Sequence, residues 1–347
     1  MERVRAAFVY ANPRGELARD VLAGLAPDTG LLGQNHMREL GIDATVHDPL
    51  LTRRSVLPFR LAWSARELSL PWEIRADIVC TPLAMLLPLV ARLRGSPRVL
   101  AFNMGLCTRL RRAGTTQRRL VRASLESASA VVCFASAQRD ELLAEMRLPP
   151  DGVRVALFGV DERFFALAPP PGDGHVLAVG RDLARDYATF ARAVRDLDVR
   201  VVVVASERNL RDVKLPRNVD VRLDVSYLEL RELYAGAACV VVPTRAESYP
   251  YGADCSGHTV LLEAMAVGRP VVLSARATNA DYLDDDRTAL EVPPEDPDAL
   301  RDAIERVLAA DELARSLGAA GRQAVEERFT TRHLAARLAP LIREAAT

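Results

Sequence analysis

The sequence predicts an α/β protein with two Rossmann-like, doubly wound domains that face a cleft. Three observations lead to this fold class. Strand-like apolar runs alternate with helical runs in both halves of the chain, which is typical of βαβ units and parallel sheets. Residues 201–204 are consecutive valines, as expected for a parallel strand that is covered on both faces. The length of 347 residues fits two ordinary domains better than one.

Residues 1–165 form the predicted amino-terminal domain. Helical runs separate its strand-like runs, so the strands can pair in parallel through crossover helices. The predicted strands are 5–11, 44–48, 77–81, 98–103, 130–135 and 153–158, and the predicted helices are 33–40, 83–94, 117–127 and 137–146.

Residues 166–174 are predicted to link the two domains. The segment contains three prolines and two glycines, which interrupt the alternation of strands and helices. The alternation resumes in a second domain at 175–330, and residues 331–347 are predicted to form a carboxyl-terminal helix that packs back on the first domain. The predicted strands of the second domain are 175–180, 199–205, 219–223, 239–243, 270–274 and 289–293, and its helices are 187–197, 228–237, 259–267 and a helical stretch from 298 onward.

The composition argues against a highly charged partner. The chain has 46 basic and 46 acidic residues, so its net charge gives no general electrostatic reason to bind nucleic acid. No apolar run approaches the ~18 residues of a membrane-spanning helix, and the start of the chain does not resemble a signal peptide. The five cysteines are scattered without metal-ligand spacing. We therefore expect a cytoplasmic protein with reduced cysteines.

The strongest functional signal lies in residues 256–272. Residues 259–267 are helix formers that are apolar on nearly all sides, and Gly268 is placed to end this helix before a strand at 271–273. Glu263 lies inside the apolar helix. A buried carboxylate without a partner costs several kcal/mol, so Glu263 needs a protein cation, a set of donors or the hydroxyl groups of a ligand.

The small polar residues around the start of this helix are suited to bind phosphate. They are Ser256, Gly257, His258 and Thr259, and free amide groups at a helix start attract anions. A phosphate site one turn from a carboxylate that binds hydroxyl groups indicates a nucleotide sugar. Two interpretations of His258 stay open: it donates to a phosphate or to the donor sugar, or it is an ordinary loop residue.

A predicted strand ends in Gly180 and is followed by Arg181 and Arg185. Because ligands of open α/β sheets bind at the carboxyl ends of strands, both guanidinium groups are placed to face the cleft. They have the chemistry to neutralise a diphosphate through charge-assisted hydrogen bonds. The alternative is that they form surface ion pairs with Asp182 and Asp186.

Taken together, these residues resemble the retaining glycosyltransferases of the GT-B fold, family 4. The resemblance covers most of residues 175–335 and is weaker before the linker. Gly180-Arg181 with Arg185 resembles the family's phosphate clamp, although Arg185 stands where the family usually has a lysine. Residues 259–272 closely match the second half of the family's E-x7-E motif.

The resemblance implies transfer of a sugar from a nucleoside diphosphate sugar to an acceptor, with retained anomeric configuration. It implies that Arg181 and Arg185 bind the diphosphate, that Glu263 binds the ribose hydroxyl groups and that the amino-terminal domain binds the acceptor. It requires no metal or other cofactor, and UDP is the default nucleotide. It also suggests that a phosphate oxygen of the leaving group takes the proton of the acceptor. The further substrate-binding residues are expected to be Gly15, Asn103, Gly180, Asp254, Cys255, Ser256, Gly257, His258, Thr259 and Val260.

Two departures from the family pattern affect this site. The first glutamate of the motif would fall at Cys255, and the loop 244–256 is longer than usual, so Glu247 or Asp254 is a candidate substitute. The family's frequent histidine after an amino-terminal strand is replaced at Asn103, where the side chain or the backbone would take over the sugar contact. Two alternatives therefore stay open: a catalytically silent nucleotide-sugar-binding partner subunit, and a GT-B-fold nucleotide-sugar epimerase.

Two other groups of charged residues each have a functional and a structural interpretation. Residues 284–286 are three aspartates that could mimic a metal-binding motif, but their position in a turn before a strand favours a structural role. The second group forms either a solvated helix face or a peripheral contact with anionic lipid or an acidic acceptor. This basic cluster consists of Arg109, Arg111, Arg112, Arg118, Arg119 and Arg122.

Overall fold

The computed structural model describes residues 3–48, 67–172, 174–284 and 287–346. It divides into two units, each with one sheet of six parallel strands connected largely by helices. The predicted fold class of two doubly wound α/β domains is confirmed. The first unit consists of Met1–Ala23, Gly30–Leu157 and Thr331–Thr347, and the second of Gly24–Thr29 and Phe158–Thr330.

The sheet of the first unit has the strand order β2-β1-β3-β4-β5-β6. Its strands are β1 (Val4–Val9), β2 (Ile42–His47), β3 (Ile78–Thr81), β4 (Arg98–Phe102), β5 (Ala130–Cys133) and β6 (Val153–Val155). Every residue of β3 and β5 is buried, as expected for parallel strands that are covered on both faces. The last helix of the chain packs on β1, β3 and β4. The helices of this unit are Gly15–Leu22, Leu87–Arg94, Leu106–Arg111, Thr115–Ser127, Ser136–Met146 and Thr331–Ala346, and residues 67–73 are also helical.

The sheet of the second unit has the strand order β12-β11-β10-β7-β8-β9. Its strands are β7 (His175–Val179), β8 (Val201–Val204), β9 (Val219–Arg222), β10 (Ala237–Val242), β11 (Val271–Ser274) and β12 (Leu290–Val292). The central strands β7, β8 and β11 are buried at every position, so the core of the unit lies on both faces of the sheet. Its helices are Tyr187–Ala193, Glu207–Leu210, Tyr227–Ala235, His258–Val267, Pro297–Ala309 and Asp311–Arg328.

The helix His258–Val267 has the burial that its composition predicts. Every residue in it except Thr259 is buried, and it packs on the helix Asp311–Arg328. The two helices approach closely because Gly318 has no side chain: a Cβ atom there would lie 2.3 Å from the carbonyl oxygen of Gly268. Gly268 ends the helix in a left-handed conformation, as predicted.

Two local features of the first unit differ from prediction. Residues 33–40 form a short 3-10 helix at Gln34–His36 and turns instead of an α-helix. Gly33 is left-handed, with φ 75°, and a right-handed helix cannot include that conformation. Conversely, Gly15–Leu22 is helical although Leu17 is its one buried residue. With eight residues, that helix is shorter than the stretch over which apolar periodicity identifies a helix in a sequence.

The second unit begins before the predicted linker, at Phe158. The backbone N–H of Phe158 donates to the hydroxyl oxygen of Tyr282 over 2.9 Å, which ties this residue to the second unit. The predicted linker 166–174 also lies within that unit, where the N–H of Ala168 donates to the carbonyl of Val267. The prediction missed this because a proline-rich segment has the same composition whether it links domains or packs on one of them.

Candidate functional site

The candidate site lies where the sheet of the second unit reverses its direction of growth. The chain builds outward from β7 through β8 and β9, and then continues on the other side of β7 with β10, β11 and β12. Ligands of open α/β sheets bind outside the carboxyl ends of the strands at such a switch point. The loops that follow β7 and β10 meet there through an isolated antiparallel bridge between Arg185 and Thr244.

Two glycines lie against the guanidinium group of Arg185. A Cβ atom on Gly180 would lie 2.1 Å from Arg185 Nε, and a Cβ atom on Gly257 would lie 3.1 Å from Arg185 Nη1. Both glycines have positive φ, 152° at Gly180 and 105° at Gly257. A side chain at either position would be strained. On Gly180 it would displace the guanidinium group, and on Gly257 it would clash with Val242 Cγ1 at 2.7 Å and press on Arg185 Nη1. The structure therefore brings together three residues that the sequence predicts to bind phosphate.

Arg185 is a buried cation with incomplete hydrogen bonding. It is 7% exposed, and its Nε and Nη1 atoms are enclosed without a hydrogen-bond partner among the described residues. Three enclosed atoms at the same edge of the sheet also lack partners there: Thr244 Oγ1, Ser256 Oγ and His258 Nδ1. Buried polar groups are normally paired, so a concentration of unpaired ones indicates a place for a ligand or for ordered water. The charge of Arg185 favours an anion.

Glu263 lies on the helix His258–Val267, where the sequence predicts a buried carboxylate that needs a partner. It is 6% exposed, and its Oε2 accepts a hydrogen bond of 2.8 Å from the hydroxyl of Tyr234. Burial raises the pKa of Glu263 to about 7, whereas the Tyr234 hydrogen bond and the charge of Arg185 oppose this rise. Oε1 is neither enclosed nor bonded in the described residues, so it is open to a ligand. The site thus combines a guanidinium group that lacks an acceptor with a carboxyl group that has one free oxygen.

His258 begins the same helix and is held by Asn279. Its Nε2 lies 3.1 Å from Asn279 Oδ1, and Asn279 Nδ2 donates to the carbonyl of Ser274 and to Glu291 Oε1. These two acceptors fix the orientation of the amide, so Oδ1 is the acceptor and His258 Nε2 is the donor. Burial lowers the pKa of His258 to about 3, the bond to Asn279 opposes this shift, and the charges of Arg276 and Arg185 add to it.

This geometry corrects one sequence-based interpretation. The neutral imidazole of His258 has its single N–H directed at Asn279, so Nδ1 is an acceptor. Donation to a phosphate from Nδ1 would require protonation, which the buried surroundings oppose.

The loop 244–256 is fixed to the turn that carries the arginines. The N–H of Ala253 donates to Asp182 Oδ2 over 3.0 Å, and the N–H of Arg245 donates to the carbonyl of Ala184 over 2.8 Å. At the end of the loop Asp254 and Cys255 are buried, and so is Ser256. Gly257 provides no side-chain cap for the helix that follows, and the N–H of His258 donates to the carbonyl of Cys255 over 3.4 Å. The amides of Gly257 and Thr259 have no partner among the described residues, so they are left for a ligand or for water. In this first turn Thr259 is exposed and Val260 is buried.

The comparison with known proteins finds a family model that matches most of the second unit. Residues 175–310 match the family described as glycosyl transferases group 1. The matched segment covers less than half of the chain. It is 30% identical over 250 residues to an alpha-maltose-1-phosphate synthase from Mycolicibacterium smegmatis, a match that spans 62% of the length of each chain. It is also 30% identical over 253 residues to a D-inositol 3-phosphate glycosyltransferase from Saccharomonospora viridis, which covers 63% of this chain and 56% of that one. The chain thus spans less than two thirds of the length of these relatives.

Solved structures show the same fold over nearly the whole chain. A sucrose-phosphate synthase from Thermosynechococcus elongatus superposes with a TM-score of 0.76 at 18% identity and covers 98% of both chains. Anabaena HepE, solved in complex with UDP-glucose, gives a TM-score of 0.68 at 13% identity and covers 98% of this chain and 99% of its own. These neighbours confirm the GT-B fold that the resemblance implies.

Arg181 lies in a different environment from Arg185 within the group 1 segment. Its Nη2 donates to the carbonyl of Leu223 over 2.6 Å and lies 3.7 Å from Asp224, and more than half of its side chain is exposed. The sequence also offered ion pairs of Arg181 and Arg185 with Asp182 and Asp186, and these pairs do not form among the described residues. Asp182 accepts hydrogen bonds from backbone N–H groups, and Asp186 caps its own helix.

Gly15 and Asn103, the two site residues predicted in the first unit, have local structural roles. The N–H of Gly15 donates to Asp48 Oδ2 over 3.0 Å, where its helix begins. The side chain of Asn103 is buried, with Oδ1 accepting from the N–H of Leu106 and Nδ2 directed at the sulfur atoms of two cysteines. The side chain of Asn103 thus holds the start of the helix Leu106–Arg111.

The remaining charged groups are largely paired. Asp284 forms an ion pair of 3.0 Å with Arg328, while residues 285 and 286 lie outside the described residues. No group of three metal-binding side chains converges anywhere in the described ranges.

In the part of the chain that the structure describes, no helix has both the length and the apolar character needed to cross a bilayer. Within the basic cluster, Arg111 pairs with Glu141, Arg118 with Glu145 and Arg122 with Glu126.

Sequence reasoning missed three residues that shape the site. Tyr234, which donates to Glu263, reads in the sequence as one more apolar position of a helix. Asn279 follows β11 in a short 3-10 helix, with no local pattern that predicts a bond to His258. Asp182 is adjacent to Arg181, and its role in holding a loop more than 60 residues away depends on the tertiary structure.

The buried carboxyl group predicts a pH-dependent stability. The pKa of Glu263, about 7, lies above its ordinary value of 4.5, so the folded state favours the protonated acid. Its contribution to stability is complete below about pH 4.5 and is lost as the pH rises through about 7. We predict that Glu263→Gln, which keeps an acceptor for Tyr234, matches the wild type near pH 5 and exceeds it at pH 8. The expected gain in unfolding free energy is on the order of 2–3 kcal/mol.

Urea denaturation at pH 5, 6.5 and 8 measures this difference. Glu232→Gln is the matched control, because Glu232 is an exposed glutamate on the helix that carries Tyr234. The control should follow the wild-type pH profile. Parallel profiles for the wild type and Glu263→Gln would contradict a raised pKa at this site.

Proposed function

We propose that this chain transfers a sugar from a nucleoside diphosphate sugar to an acceptor, with retention of the anomeric configuration. One observation carries the proposal: at the switch point of the second sheet, a buried guanidinium group without an acceptor among the described residues acts electrostatically on a buried carboxyl group with one oxygen unbonded in them. A diphosphate supplies acceptors to the first group, and a ribose supplies hydroxyl donors to the second. A nucleoside diphosphate contains both groups in one molecule.

Different residues of the site would bind the diphosphate and the ribose of the sugar donor. Arg185 and the amides of Gly257 and Thr259 would bind the diphosphate, and the amide of His258 would join them by exchanging its bond to the carbonyl of Cys255. Arg181 would join them by exchanging its bond to the carbonyl of Leu223 for one to a phosphate oxygen. Glu263 would accept from the ribose hydroxyl groups through its free oxygen, while the hydroxyl of Tyr234 holds the other oxygen in place.

The chemistry then requires stabilisation of a leaving phosphate. The bond between the anomeric carbon and the phosphate oxygen breaks, a bond to the acceptor oxygen forms on the same face, and the acceptor's proton passes to a phosphate oxygen. Negative charge grows on the diphosphate as the first bond breaks. A fixed donor directed at such a charge typically contributes about 3 kcal/mol to lowering the barrier. We propose that the arginines supply this charge stabilisation and that the reaction uses no metal.

UDP is the proposed nucleotide of the donor. HepE, which shares the fold, was solved with UDP-glucose, and this supports UDP over GDP, ADP or dTDP. The alternative of a silent nucleotide-sugar-binding subunit follows from Cys255, since a buried cysteine stands where the family's first glutamate would fall. An epimerase would need acid and base groups on both sides of a sugar ring, and the site residues above do not include such a pair.

A panel of ligands tests the donor site. We predict that UDP-sugars raise the melting temperature most among UDP-, GDP-, ADP- and dTDP-sugars. Ligand at 100 times its dissociation constant adds about 2.7 kcal/mol to the free energy of unfolding. Arg185→Ala should abolish this shift and lower kcat by about 100-fold to 1000-fold. Arg200→Ala, which removes an exposed arginine paired with Asp220, is the control and should retain both.

Release of nucleoside diphosphate, measured in parallel, separates the alternatives. A thermal shift without release indicates the silent binder. A full thermal shift in Arg185→Ala would contradict the site assignment.

We also propose a peripheral membrane contact through the basic cluster. Three of its arginines have glutamate partners, but Arg119 has no partner among the described residues. Arg119 lines a shallow cavity of about 270 Å³ together with Arg118, Arg122 and the exposed Arg147. Anionic lipid attracts each such arginine by about 1 kcal/mol at the surface.

Co-sedimentation with vesicles containing phosphatidylserine tests this contact. The double variant Arg119→Glu/Arg147→Glu should bind at least tenfold more weakly than the wild type in low salt. Arg92→Glu, on another helix of the same unit, is the control. Equal sedimentation of the wild type with neutral and anionic vesicles would contradict the proposal.

A further inference from the structure

The imidazole of His258 is enclosed by aromatic rings. It stacks on Tyr282 with ring centroids 4.4 Å apart, and the ring of Phe158 lies 6.5 Å away. The residue is 1% exposed, so solvent does not reach the ring freely. Because Nε2 donates to Asn279, Nδ1 is an acceptor, and it has no donor within the described residues. A buried acceptor without a donor is destabilising and needs an explanation.

Protonation of the ring does not solve this problem. Two cations, Arg185 and Arg276, act on the ring electrostatically, and both disfavour a third positive charge. The nearest acid in the hydrogen-bond chain is Glu291, which accepts from Asn279 and not from the imidazole. The ring therefore stays neutral, and Nδ1 needs a partner that brings its own proton.

The groups near His258 restrict what that partner is. In the part of the chain that the structure describes, Arg185 Nε and Nη1 are donors without an acceptor, whereas His258 Nδ1 is an acceptor without a donor. An ionised phosphate oxygen satisfies the guanidinium group but has no proton to give to the imidazole. A hydroxyl group accepts one hydrogen bond and donates another, so it is suited to both. A sugar ring carries several such hydroxyl groups.

We propose that His258 Nδ1 accepts a hydrogen bond from a hydroxyl group of the transferred sugar, and that Asn279 is the positioning residue that fixes this acceptor tautomer. The inference rests on the proposed function and names a specificity contact in the same site. It predicts discrimination between a nucleoside diphosphate and its sugar conjugate, because only the conjugate carries the hydroxyl group that His258 binds.

His258 Nδ1 is enclosed, so a ligand reaches it only if the side chains around it move. Ser256, two residues before His258, has an enclosed hydroxyl that also lacks a partner among the described residues. Movement of either side chain therefore breaks no hydrogen bond made by Ser256 Oγ or His258 Nδ1. A sugar hydroxyl at Nδ1 displaces no donor of the described residues.

Imidazole NMR of protein with 15N-labelled histidine tests the proposal. Five histidines are present, and the spectrum of His258→Phe, which keeps a ring for the stack on Tyr282, assigns the signal. We predict that His258 is the neutral Nε2–H tautomer from pH 5.5 to 8. UDP-glucose, the probe, should shift its Nδ1 resonance, and UDP should not. Asn279→Leu should produce a mixture of tautomers, which a merely structural role for Asn279 would not predict.

Binding measurements complete the test. His258→Phe should weaken the binding of UDP-glucose by 10-fold to 100-fold and leave the affinity for UDP within twofold. If UDP-glucose binds the wild type but does not shift the Nδ1 resonance, or if His258→Phe binds both probes as the wild type does, the inference is overturned alone. If neither probe changes the melting temperature, the proposed function fails first, and an Nδ1–H tautomer in the empty protein would still overturn the assignment of His258 as an acceptor.

Discussion

The hydrogen bond from Tyr234 to Glu263, in the field of Arg185, is the interaction on which the rest of the site depends. It places an acid and a cation in the same buried region without pairing them directly. A direct ion pair would satisfy both groups and leave nothing for a ligand. The tyrosine instead occupies one oxygen of the carboxyl group and leaves the other open. The site therefore contains buried polar groups that lack partners among the described residues. A ligand with both anionic and hydroxyl groups would supply those partners.

The topology explains why these groups meet. Sheet growth reverses at β7, so the loops after β7 and β10 leave adjacent strands at the edge of the sheet where open α/β sheets bind their ligands, and the Arg185–Thr244 bridge joins them there. Arg185 comes from the first loop, and the helix with Glu263 follows the second. Gly180 and Gly257 leave no side chain against the guanidinium group. Asp182 then fixes the long second loop to the first by accepting a hydrogen bond from the N–H of Ala253.

The sequence predicted the parts of this structure that depend on local pattern. The alternation of apolar runs predicted both sheets, and the apolar helix around Glu263 with its glycine end was confirmed in detail. The sequence motifs also predicted that Gly180, Arg185 and Gly257 lie at the same edge of the second sheet. Contacts between distant segments were not predictable in this way, because the burial of Tyr234 gives no sign of which acid its hydroxyl meets. Asn103 shows the converse: a polar residue after a strand suggests a binding role, yet its amide holds the start of a helix.

The central claim is that the free oxygen of Glu263 binds the ribose of a nucleotide, and isothermal titration calorimetry with UDP and 2′,3′-dideoxy-UDP tests it most directly. The account predicts that the wild type binds UDP at least tenfold more tightly than the dideoxy analogue, a difference of about 1.4 kcal/mol. It predicts that Glu263→Ala binds both with affinities that agree within twofold. Equal affinities in the wild type, or full discrimination retained in Glu263→Ala, would contradict the account.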